Sequence, residues 1–323
     1  MRFLWLPVIA LSLLGSCSGR NLSHEEAVRS LKVLNSDLMN FFSAAAEKPE
    51  WKALMFLYDQ PSLRLPFSKD KFSFDKPYSE FDFHDEKGHY DWDFTLKQFA
   101  RKQKGDDIEV HFPSYLSDSL NTCFRLYDYE SVPVSSRPWF PVKADGSLAV
   151  DGVIKLKFAH TARVGDDLPL SFNTVVDGEG YQVISSFSRT REGDRGTIGF
   201  LIKAEMQGNE VISGTIDASV GYSKIGYYFE DINLSFRLFS HLVKGRIRYG
   251  MINPTTENYV DSFNRNTDLG LFELQGNRKV GDIVLGSSNH GELLNYYIRF
   301  SGGKEELAAT FIPMLDKLLN LKY

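Results

Sequence analysis

The chain has 323 residues, with 37 Lys and Arg against 42 Asp and Glu and a net charge of −5. At 42% hydrophobic, 14% aromatic and 24% charged, it carries enough apolar material for a substantial core, which excludes a disordered chain. The acidic balance argues against a general nucleic-acid binder, because neutralising phosphates takes a concentration of Lys and Arg.

Residues 1–16 read MRFLWLPVIALSLLGS, with Arg2 ahead of an apolar run from Phe3 to Leu14. This is the charge and hydrophobicity order of a secretory signal, and the run is shorter than the roughly 20 residues a membrane-spanning helix needs. Leu14-Gly15-Ser16-Cys17 follows directly. These four residues resemble the lipobox of bacterial lipoproteins, and over its first 17 residues the chain resembles the outer-membrane lipoproteins of Gram-negative bacteria. The resemblance implies a signal peptide 1–16, acylation of Cys17, and a tether 17–22 holding the mature chain to a membrane of the cell envelope. Diacylglycerol supplies more than one acyl chain, where a single chain anchors only marginally. Ser18 lacks the acidic side chain that keeps some lipoproteins at the inner membrane, so the outer membrane is expected, on its periplasmic or its surface face. Cys123 is then left without an intramolecular partner. Its close neighbours in sequence offer one cation, Arg125, and His111 is the nearest histidine, so packing as a small hydrophobe is expected for it.

Ser23-His24-Glu25-Glu26 has the form of a capping box, with Ser23 as N-cap. Ala27, Leu31, Leu34, Leu38, Phe41 and Ala45 recur at helical spacing, predicting a helix over 24–47 that docks one apolar stripe on a core. Pro49 suits the first turn of a second short helix carrying Trp51, Leu54, Met55 and Tyr58, ended by Pro61 and Pro66. From about residue 70 the period falls to two. Phe81–Asp85 and His89–Phe94 flank Glu86-Lys87-Gly88 and predict a hairpin, with Phe81, Phe83, Tyr90, Trp92 and Phe94 on its buried face. A strand over Ile108–Phe112 follows.

Prolines at 133, 138 and 141 and Gly146 mark 131–146 as a connection between a helical and hairpin region, 23–130, and a β-meander, 147–323. In the meander, turn signals recur at Asp177–Gly180, Glu192–Gly196, Gln207–Asn209, Ser223–Gly226 and Gln275–Asn277. Ile212–Tyr222 and Ile232–Leu238 alternate apolar and polar residues, which predicts strands with one packed and one wet face. Near the end, a strand over Tyr296–Phe300 and a short helix from Pro313 are expected, the latter turning Leu315, Leu318 and Leu319 inward. The fold class is therefore mainly β with an N-terminal helix (α+β): a long-stranded antiparallel meander forming a curved sheet, barrel or sandwich packed with helix 24–47.

Catalytic signatures are wanting: the sequence holds no GxSxG, HExxH, P-loop or GxGxxG. Gly286-Ser287-Ser288-Asn289-His290-Gly291 reads as a turn. Asn264, Asn266 and Asp268 start like a calcium loop, but Leu269 and Gln275 stand where Gly and Glu are needed. Asp82, His84, His89, Asp91 and Asp93 would share one face of the predicted hairpin, best read as solvated. Neither enzyme activity nor a metal or cofactor is expected.

About ten strands at roughly 4.8 Å make a sheet about 48 Å wide, and one helix about 10–12 Å across covers a quarter of it. Closure or a second sheet would hide the rest. A half-open sheet would instead hold an apolar ligand, as in the periplasmic lipid-carrier lipoproteins that this architecture resembles. The expected function is non-catalytic binding of a lipid or an envelope polymer, with docking of another envelope protein as the alternative. Exposed aromatic residues in Tyr227-Tyr228, Tyr296-Tyr297 or Pro138-Trp139-Phe140-Pro141 would suit a glycan.

Overall fold

The computed structural model describes residues 21–58, 82–114, 117–134, 137–165, 169–223, 226–252, 259–287 and 294–313. The signal segment and Cys17, Pro61, Pro66 and Phe81, the Ser288–Gly291 stretch and Leu315, Leu318 and Leu319 lie outside them. Among the described residues the protein is mainly β, an antiparallel meander preceded by a helix, as the alternation predicts. The chain divides into two compact units, 37–232 with 321–323, and 1–36 with 233–320.

The first unit begins in α1 (His24–Glu47) and continues through α2 (Pro49–Tyr58) and the one-turn α3 (Phe83–Glu86). Its strands are β1 (Gly88–Asp93), β2 (Gln98–Gln103), β3 (Ile108–Phe112), β4 (Thr122–Val134), β5 (Arg137–Val150), β6 (Val153–Val164), β7 (Pro169–Gly178), β8 (Tyr181–Glu192), β9 (Arg195–Met206) and β10 (Asn209–Ser223). Their order is β2-β1-β3-β4 and then sequential to β10. All the pairings are antiparallel except β1 with β3. The core lies on one side of β1, β3, β4, β5 and β6, where Ile108, Val110, Phe112, Phe124, Leu126 and Leu148 are sealed from water. Ala53 and Leu57 of α2 close it.

The predicted hairpin at 81–94 is displaced. Phe83–Glu86 is helical because the Asp82 carboxylate accepts the backbone N–H groups of His84 and Asp85, as an N-cap does. The turn falls after Asp93, which accepts from the N–H groups of Thr95 and Leu96, both at 2.8 Å, and β1 pairs with β2 instead. Tyr90 is buried as expected, whereas Phe94 sits exposed in the turn and Phe83 stacks on Tyr129.

Residues 131–134 and 137–146 are not a connection but facing arms of the paired strands β4 and β5. Proline cannot donate to a ladder, so it sits at irregularities. The register slips between Glu130 and Ser131 and again between Val132 and Val134, beside Pro133 and Pro141.

Strand β11 (Gly226–Leu238) contains the boundary between the units. The second unit holds β12 (His241–Ile247), α4 (Tyr259–Arg265), β13 (Thr267–Glu273), β14 (Arg278–Ser287), β15 (Leu294–Arg299), β16 (Glu305–Leu307) and α5 (Ala308–Phe311). Strands β12 to β16 are sequential neighbours. The first turns of α1 belong here, started by the capping box: the Ser23 N–H donates to Glu26 Oε2 at 2.9 Å, and the Glu26 N–H to Ser23 Oγ at 3.3 Å. Ala27, Leu31 and Leu34 are buried, as the spacing requires. After β16 a one-turn helix, Ala308–Phe311, ends at Ile312; Pro313 is itself helical, and the rest of the helix expected from it lies outside the described residues.

Candidate functional site

Strand β3 has one dry and one wet side. Ile108, Val110 and Phe112 enter the core, so Glu109 and His111 must emerge together on the opposite face. The β4 register sets Arg125 against Glu109 and Cys123 against His111. Across the parallel pairing, β1 sets His89 beside Glu109 and Asp91 beside His111. The result is a half-buried cluster of nitrogen, oxygen and sulfur donors.

Within it, His111 Nε2 and Glu109 Oε1 are hydrogen-bonded at 2.7 Å. Arg125 reaches Glu109 Oε2 through Nε at 3.2 Å and Asp107 Oδ2 through a terminal nitrogen at 2.5 Å. His89 Nδ1 contacts the Gln103 amide at 2.9 Å, and its Nε2 lies 3.9 Å from Asp107. Burial, with the Glu109 carboxylate adding to it, pushes the Cys123 thiol up to about 11. The thiol is therefore protonated at neutral pH and is a poor nucleophile.

The polar face expected for Asp82, His84, His89, Asp91 and Asp93 does not form as one set. Asp82 and Asp93 each cap a turn, and His84 rides on α3; His89 and Asp91 alone belong to the cluster. The Glu109–His111 spacing is present in the predicted strand, but the approach of Cys123 depends on the register of β3 with β4, which no local pattern carries. The interrupted calcium pattern is structural: Asn264 exchanges two hydrogen bonds, both 2.8 Å, with the Leu285 backbone, and Asn266 donates to the Ser262 carbonyl.

A second feature lies on the core side of β6 to β10. Cross-strand register aligns Ala162, Phe172, Phe187, Phe200 and Ile216 in one row, and Phe158, Val176, Val183, Ala204 and Ile212 in the next. Apart from Ala204 these side chains are half-buried, in contrast to the sealed core under β3 to β5. Between the rows stand His160, Thr174 and Ser185, neighbours on adjacent strands, with His160 Nδ1 2.8 Å from the Thr174 hydroxyl. Toward one end, α2 sets Trp51 against Tyr181 in a tilted pair, ring centroids 5.8 Å apart, and Lys48 sits over the Tyr181 ring.

Both Tyr227 and Tyr228 are exposed, although alternation places one inside; Tyr228 instead lies across Gly221, where no side chain competes for the space. Tyr296 is exposed and Tyr297 half-buried, as alternation expects. Among the described residues no helix is long and apolar enough to cross a membrane. Comparison with protein-family models, curated proteins and solved structures finds no match.

Proposed function

We propose that the protein is a lipid-anchored envelope lipoprotein that binds an amphipathic, acyl-chain-bearing lipid on the β6–β10 face. The observation that carries the binding is the pair of half-buried apolar rows with a polar seam between them. Acyl chains lying along Phe172, Phe187 and Phe200 would remove apolar surface from water at about 25 cal/mol per Å². The Thr174 and Ser185 hydroxyls of this seam offer hydrogen bonds to an ester or headgroup, so the site suits an amphiphile better than a hydrocarbon. The anchor rests on Arg2, the apolar run and the Leu14–Cys17 segment.

Two measurements test this reading separately. Radiolabelled palmitate should enter the wild-type protein and be absent after Cys17→Ala. Native mass spectrometry should find retained lipid, and a fluorescent fatty acid should bind at least tenfold (about 1.4 kcal/mol) more weakly to Phe187→Asp. A protein that holds no lipid and does not bind the probe ends the lipid reading, whatever the anchor does.

A second reading, a glycan surface, draws on Tyr222, Tyr227 and Tyr228. Tyr227 lies 6.4 Å from the Tyr222 ring, over which Arg191 sits at 4.5 Å. Exposed aromatic faces of this kind stack on sugars. Retention on immobilised envelope polysaccharide that disappears in Tyr227→Ala would favour it.

A further inference from the structure

We infer that Glu109, His111 and Cys123 form a binding site for a divalent transition ion of the zinc type. One carboxylate oxygen, one imidazole nitrogen and the thiol sulfur all lie within 4.8 Å of one another. Zinc bonds of about 2.0–2.3 Å at tetrahedral angles put donors roughly 3.3–3.8 Å apart, so side-chain rotations of about an ångström close the set. The mixed sulfur, nitrogen and oxygen donors select a borderline ion over calcium or magnesium, which take oxygen alone. Three protein donors leave a fourth position for water or a substrate atom.

The backbone holds these donors in place. Glu109 and His111 stand two apart on β3, between β1 and β4, and the residues alternating with them are almost completely buried, so their Cα positions are fixed by the core. Cys123 faces His111 directly. His111 Nε2 and Glu109 Oε1 already point at each other across 2.7 Å, and an ion would take the place of the shared proton. Glu109 Oε2 is held from outside by Arg125, which Asp107 in turn orients, the arrangement of a supporting outer shell. A second triad, His89, Asp107 and Glu109, shares Glu109. It lacks sulfur, its Asp107 is engaged by Arg125, and His89 by Gln103; the ion belongs on the Cys123 side.

The test uses the full chain as Cys17→Ser, which leaves Cys123 as its one thiol. After chelator treatment, Co²⁺ titration should raise a thiolate-to-cobalt charge-transfer band that saturates at one ion per chain and is bleached by Zn²⁺. Cys123→Ser should abolish the band. His111→Gln and Glu109→Gln should each weaken binding at least tenfold, the scale of losing even an outer-shell partner. Zn²⁺ should raise the melting temperature of the parent by more than that of His111→Gln at the same concentration, with circular dichroism establishing that each metal-free variant is folded. No band, or a band of equal affinity in folded His111→Gln and Glu109→Gln, overturns the assignment, the latter because a thiol alone would then explain it.

Discussion

His241 shows how a single polar group is made safe inside the second unit. It is 2% exposed, and its Nε2 lies 2.7 Å from the Ser30 hydroxyl on α1, itself 5% exposed. A serine beside a histidine suggests a nucleophile and base, but at that burial no substrate reaches the hydroxyl, and the pair instead ties the helix to β12. Ser30→Ala takes this partner from Nε2 in a place closed to water, so a loss of about 1–3 kcal/mol is expected in urea unfolding. His160 behaves differently. Desolvation holds its imidazole below the ordinary value, although a hydrogen bond with the Pro141 backbone works against it. The unfolded chain takes up a proton near pH 6.5 while the folded one does not, so stability falls with pH below about 6.5 until the folded value is passed. Above that window His160 contributes no pH dependence. His160→Gln should therefore narrow the difference between urea midpoints at about pH 5 and about pH 8, and an unchanged difference would place the acid sensitivity elsewhere.

At the scale of elements, legibility followed how local the determining interactions are. Helix α1 was readable from residue 23 onward because its cap and its stripe lie within the segment itself. Removing the cap with Ser23→Ala should lower stability by about 1 kcal/mol, measured by thermal or urea unfolding, and Ser23→Asp should retain most of it. Strand β3 and the turns at Gly180, Gly193, Gly208 and Gly276 were readable for the same reason: each of these glycines adopts a positive φ that other residues resist. The 81–94 segment failed because two local signals competed. Alternation ran through Phe81–Asp85, yet Asp82 and Asp93 capped the backbone at both ends and left β1 to start at Gly88. The prolines of 131–146 failed in the opposite sense, since bulges absorbed them into long strands. What no local pattern carried was register. It brings Cys123 to His111, and it lays the Phe158 ring across Gly146, where a Cβ would stand 2.3 Å from it. The sequence pattern makes Gly146 the end of a linker; its place in the fold is to make room for an aromatic ring.

At the scale of the whole molecule, burial is unevenly distributed along the meander, and stability should be too. In the 37–232 unit, the side chains on the core side of β3, of β4 as far as Leu126 and of β5 from Gly146 onward are sealed, with Phe112, Phe124, Leu126 and Leu148 at 1% exposure or less. Along β7 and β8 the inward residues are half-buried, apart from Tyr181, and the small group of Ile198, Ala218 and Val220 is the buried cluster on β9 and β10. Opening free energies track local apolar packing, so amides of β7 and β8 should exchange with deuterium faster than those of β3 to β5. A lipid bound as proposed on the β6–β10 face would add contacts to the folded state alone, and by mass action would add about 2.7 kcal/mol at a hundredfold excess over its dissociation constant. Hydrogen exchange with and without a bound fatty acid should show protection rising in β7 and β8 while β3 to β5, already sealed, stay unchanged. Protection confined to β11 around Tyr227 and Tyr228 would move the ligand to the tyrosine surface. Equal exchange in both groups of strands would mean that the half-buried rows are covered in solution, and the lipid site would lose its physical basis.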